Sequence, residues 1–143
     1  MFADNDAVDY YNKGVNLAIS GKFEEAIVLF DLAIKYKPEL ADAYYNKGFA
    51  LDKLEKFEEA IAAYDLAIKY KPDYAKAYSN KGAALGKLGK SKEAIITFDL
   101  AIKYQPDFAD AYYNKGVSLK LLGRKKESDE AFAIAEKLNA SQK

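Results

Sequence analysis

The sequence predicts an all-α repeat protein, an α-solenoid of four antiparallel helical hairpins, and three observations predict it. Pro38, Pro72 and Pro106 are spaced 34 residues apart, as are Gly14, Gly48, Gly82 and Gly116, and self-similarity at a period of this size marks stacked repeats. FEEAIVLFDLAIKYKPEL, FEEAIAAYDLAIKYKPDY and SKEAIITFDLAIKYQPDF are near copies, with KKESDEAFAIAEKLNASQ a worn fourth. Apolar residues recur at helical spacing twice per period, as in Tyr44, Leu51 and Leu54 and then Ala60, Ile61, Tyr64, Ala67 and Ile68, so each period folds back on itself as two helices. The repeats occupy residues 7–40, 41–74, 75–108 and 109–142 of a single domain, after an N-terminal extension of residues 1–6.

Each element follows from local chemistry. The first helix of a repeat carries the recurring YYNKG, which reads YSNKG at residues 78–82. It ends in a turn at SGK, LEK, LGK or LGR, where glycine in three of four copies can take the left-handed conformation that closes a helix. The second helix begins with Glu25, Glu59 or Glu93 near its N-terminus, where negative charge is favoured. It stops before Pro38, Pro72 or Pro106, because proline lacks an N–H and restricts the residue before it. The Gly48-type residue inside the first helix costs about 1 kcal/mol against alanine. It therefore requires a close approach of the paired helix, expected near the Ala60-type residue.

Composition narrows function. Twenty-two basic residues balance twenty-two acidic ones, which removes the positive field that nucleic acid or an anionic membrane would need. There is no cysteine and no histidine, so the commonest metal ligand and general base are missing, as are thiolate chemistry and disulfides. Glu24 and Glu25, like Glu58 and Glu59, are adjacent and splay around the helix instead of converging as an acid and a base would. No catalytic residue, metal site or cofactor is expected. The N-terminus MFADND carries no signal-like run, and no apolar stretch reaches membrane-spanning length, so a cytoplasmic location is expected.

The succession Tyr44, Gly48, Leu51, Ala60, Tyr64, Ala67 and Pro72 resembles the tetratricopeptide repeat pattern over almost the whole chain. The last repeat departs from it, with Ser128 for the alanine and Ala140 for the proline. The resemblance implies a right-handed superhelix whose first helices line a concave groove, and a protein or peptide partner. In a stack the end faces lose their neighbours. Phe23, Ile27 and Ile34 correspond to Lys125, Asp129 and Glu136 in the last repeat, and Ala43, Ala50 and Leu54 to Asp9, Asn16 and Ser20 in the first, so both ends are expected to face water in a free-standing monomer. Lys13, Lys47, Lys81 and Lys115 replace the family's usual leucine. Asp31, Asp65 and Asp99 lie on the face that meets the next hairpin, so the pairs Asp31–Lys47, Asp65–Lys81 and Asp99–Lys115 are expected; the alternative is lysines that reach into solvent.

The groove face of the first helix carries Asp42, Tyr45, Asn46, Phe49, Asp52 and Lys53. Asn12, Asn46, Asn80 and Asn114 form a row whose amides can donate to and accept from an extended peptide backbone. Similar rows read backbones in relatives such as the sugar transferase that modifies serine and threonine, although asparagine is common there whatever the ligand. A parallel row reads Tyr11, Tyr45, Ser79, Tyr113, with Phe49, Ala83 and Val117 one turn on and Asp52 and Gly86 beyond. Small residues at Ser79, Ala83 and Gly86 between Tyr45 and Phe49 on one side and Tyr113 on the other predict an aromatic-walled notch for a bulky side chain; the alternative is that they ease superhelical curvature. Chaperone adaptors of the family clamp a terminal carboxylate. Here Asn46 and Lys76 match that clamp, but Tyr11, Val15 and Asn80 do not, so only an isolated acid at Lys76 is expected. The face predicts a non-catalytic peptide-binding module; the competing reading is a scaffold or self-assembling adaptor using its convex surface or ends. The C-terminal LNASQK is a candidate for weak self-association through another copy's groove.

Overall fold

The computed structural model describes residues 2–142, with side chains from residue 5 onward. Among them are eight helices and no strand: α1 (Phe2–Ile19), α2 (Phe23–Tyr36), α3 (Ala41–Lys53), α4 (Phe57–Tyr70), α5 (Ala75–Lys87), α6 (Ser91–Tyr104), α7 (Ala109–Leu121) and α8 (Lys125–Ser141). They pair as α1/α2, α3/α4, α5/α6 and α7/α8. Two compact units result, Met1–Pro72 with α1 to α4 and Asp73–Lys143 with α5 to α8.

The hairpin turns use the left-handed region as expected at Gly21 (φ 78°), Gly89 (78°) and Gly123 (75°). Glu55 fills the same place at φ 59°, where a side chain costs what glycine avoids. Proline acts as the sequence indicates: α2, α4 and α6 each stop two residues before it. Ala140 lets α8 run on to 17 residues where its counterparts have 14. Leu138 to Ser141 thus lie within α8, and Gln142 Nε2 donates to the Asp107 carbonyl at 3.1 Å.

The cores are alanine-rich, and aromatic rings fill the space between paired helices. Phe30 and Tyr64 in the first unit and Phe98 in the second are fully buried. The repeated glycine faces these rings. A Cβ on Gly48 would stand 2.6 Å from the Tyr64 ring, and Gly14, Gly82 and Gly116 meet Phe30, Phe98 and Phe132 in the same way. The close approach is therefore to the paired helix as expected, but the atoms excluding a side chain belong to the aromatic residue one turn beyond the Ala60-type position. In the last hairpin that position is Ser128, whose buried hydroxyl donates to the Gly116 carbonyl at 2.7 Å.

Tyrosines tie the open ends of three hairpins. Tyr10 stacks on Tyr36, Tyr44 on Tyr70 and Tyr78 on Tyr104, each pair with centroids 5.6 Å apart. Tyr44 Oη also donates to the Pro38 carbonyl at 2.8 Å, fixing the chain between α2 and α3. Within each unit the hairpins are joined by an expected ion pair: Lys47 Nζ lies 2.7 Å from Asp31 Oδ1, and Lys115 Nζ 2.7 Å from Asp99 Oδ1. The third expected pair, Asp65 with Lys81, would bridge the two units and stays an expectation.

Candidate functional site

In the first unit the face predicted to bind is built by α1 and α3. Asn46 Nδ2 donates to Tyr11 Oη at 2.9 Å and to the Asp42 carbonyl at 2.9 Å. One amide thus links two successive hairpins, which the sequence reading did not foresee. Burial is the main cause raising the Tyr11 pKa, with the Asp42 charge adding and the Asn46 donor opposing, so at neutral pH the phenol is protonated and accepts from the amide. Tyr45 tilts against Tyr64 with centroids 5.9 Å apart, and Phe49 sets its edge against Phe23 at 6.5 Å while Lys53 Nζ lies 5.3 Å from its centroid. Asn12 is exposed. Asp52, on the same helix, accepts a short hydrogen bond from Tyr64 Oη. Its pKa is raised because burial disfavours the carboxylate more than the Tyr64 donor and Lys53 favour it.

In the second unit α5 and α7 bring together Ser79, Asn80, Tyr113 and Asn114, which line a pocket of about 300 Å³ with Phe108 and Asp110. Ser79 is 4% exposed, so it lies at the pocket floor, whereas Tyr113 is 56% exposed. Lys76 is exposed and Ala83 and Gly86 are half-buried, and none of the three lines this pocket. Of the three small residues only Ser79 lines this pocket, and the aromatic-walled notch reaching to Tyr45 and Phe49 stays an expectation.

The row that the sequence reading followed through Tyr113 and Val117 continues along α7 to Leu121, which that reading did not name. Tyr113, Val117 and Leu121 are 56%, 38% and 68% exposed, and their four-residue spacing puts them on one face. Beside them a pocket of about 730 Å³ is lined by Tyr113, Lys120, Phe132, Ala135, Glu136, Asn139 and Ala140. Its signal in the sequence was the run of apolar residues at four-residue steps on a helix whose opposite face is already apolar.

Helical hairpins of this length, a glycine keyed into the partner helix's aromatic ring and an exposed mixed polar and aromatic face define a helical-repeat interaction protein. A family model described as TPR repeat matches residues 14–55 and 51–89, and one described as tetratricopeptide repeat matches residues 75–108 and 109–142. The chain belongs to the tetratricopeptide repeat family, whose all-α solenoid fold it has and whose members are typically non-catalytic interaction scaffolds. Among solved structures, the crystal structure of MamA is similar at TM-score 0.91 and 25% identity, covering 96% of this chain and 81% of that one. MamA residues 41 to the end from Desulfovibrio magneticus RS-1 give TM-score 0.88 and 25% identity, covering 96% and 78%. The first TPR of Spaghetti (RPAP3), bound to the HSP90 peptide SRMEEVD, gives TM-score 0.82 and 27% identity, covering 84% and 95%. No curated protein sequence matches at a significant level. Among the described residues, no helix is long and apolar enough to cross a membrane.

Proposed function

We propose that this protein-interaction module is a non-catalytic binder of an extended or short helical peptide segment. The residues proposed to contact a peptide are Tyr11, Asn12, Tyr45, Asn46 and Phe49 in the first unit and Lys76, Ser79, Asn80, Ala83, Tyr113 and Asn114 in the second. The observation that carries this reading is the pocket lined by Ser79, Asn80, Tyr113 and Asn114, over which Tyr113 stands 56% exposed. Aromatic and apolar side chains left uncovered together mark a surface that buries itself on a partner. The peptide in the RPAP3 structure supports a peptide partner. A peptide held by its terminal carboxylate fits poorly, because Tyr11, Val15 and Asn80 stand where the family's carboxylate clamp needs basic and amide groups.

The test is selection of binding peptides from a random library, followed by titration of the selected peptides against Tyr45→Ala and Asn80→Ala. Each substitution is expected to weaken binding at least tenfold while the circular dichroism spectrum stays helical. Undiminished binding in both variants would move the partner to the convex surface and favour a scaffold.

A further inference from the structure

We propose that the pocket between α5 and α7 takes a basic side chain, an arginine foremost, of the bound peptide; this rests on the peptide-binding reading. Ser79 stands at the position of Tyr11 one repeat pair earlier. There the phenol accepts from Asn46 at 2.9 Å, whereas Asn114, the counterpart of Asn46, faces a serine too short to replace it. Among the described residues neither Ser79 nor Asn114 has a side-chain hydrogen-bond partner within the protein. Among the described residues no buried side-chain polar atom is left unsatisfied, so the Ser79 hydroxyl, on a residue 96% buried, opens into the pocket it lines.

The walls select the ligand. Asp110 makes no ion pair among the described residues and supplies the pocket's only formal charge. Asn114 Oδ1 and Ser79 Oγ add neutral acceptors, and the exposed Tyr113 ring offers a face. A guanidinium has five donors, no acceptor and a planar surface that stacks on aromatic rings, which matches that lining. A carboxylate would meet Asp110. Of the nearby cations, Lys115 is held by Asp99 at 2.7 Å and Lys76 does not line the pocket. A volume of about 300 Å³ is room enough for one long side chain.

The experiment is a heteronuclear NMR titration of the full chain with Nα-acetyl-arginine amide and, in parallel, with its uncharged isostere Nα-acetyl-citrulline amide. The arginine derivative is expected to give saturable shifts at the Asn80 and Asn114 side-chain amides and at the Ser79 and Tyr113 backbone, with citrulline at least tenfold weaker. Asp110→Asn, an exposed isosteric change, should weaken arginine at least fivefold. Ser79→Tyr, which restores the residue of the sister repeats, should abolish the shifts. Equal response to citrulline, absence of saturation, or undiminished binding by Asp110→Asn overturns the proposal. Because the probe is a single residue, its failure leaves library-selected peptides able to bind the groove, and failure of the library leaves this titration readable.

Discussion

Gly48 shows how tightly one residue can be specified. Its missing Cβ would stand 2.6 Å from a ring that is fully buried and cannot swing away. Gly48→Ala gains about 1 kcal/mol of helix propensity and loses about 1–3 kcal/mol or more to overpacking, so a net destabilisation is expected in urea melts. Gly116→Ala should cost less, because Phe132 is only partly buried and its ring can yield. Glu55 gives the opposite case: Glu55→Gly at φ 59° should raise stability by about 0.5–1 kcal/mol. Asp52 links structure to pH. Its folded-state pKa is raised above 3.8, so the folded state holds the proton more tightly, and stability from this group is present below the unfolded value and lost as pH rises through the folded one. Asp52→Asn should therefore gain stability over the parent at pH 7, and the gain should vanish at pH below 3.8; an equal difference at both pH values would assign the effect to something other than ionisation. The glycine spacing was legible in the sequence, but the ring it meets was not. The pattern names the facing helix without giving which of its turns lies opposite.

Elements are held in register by interactions between hairpins as well as within them. The prolines and turn residues placed the helix ends correctly, since both act through local backbone chemistry. The aspartate–lysine expectation holds within each unit because both residues recur at fixed places on faces that pack together. The Asp31 and Asp99 side chains remain about half exposed, so a double-mutant cycle on Asp31 and Lys47 should give a coupling of about 0.2–1 kcal/mol that falls with added salt. The Asn46 to Tyr11 bond was not read from the sequence, though its trace was there: tyrosine at 11 and 45 precedes asparagine at 46 and 80 by one repeat, and serine at 79 breaks the series ahead of Asn114. Side-chain pairing across hairpins depends on their stagger, which a linear pattern does not contain.

For the whole molecule, the period of 34 and the balanced charge made a helical-repeat interaction protein legible from the sequence alone. The binding face was legible in part. The residues of the first helices were named, but the stripe through Leu121 and the pocket beside α8 depend on where the last hairpin leaves its surface uncovered. Apolar exposure also occurs on second helices, at Val28 (57%), Ile96 (63%) and Ile134 (42%), so two faces compete for a partner. Mapping chemical-shift changes from a library-selected peptide onto the assigned NMR spectrum of the chain decides between them most directly. The account predicts changes concentrated at Tyr45, Asn46, Phe49, Ser79, Asn80, Tyr113 and Asn114; changes centred on Val28, Ile96 and Ile134, with those residues silent, would contradict it.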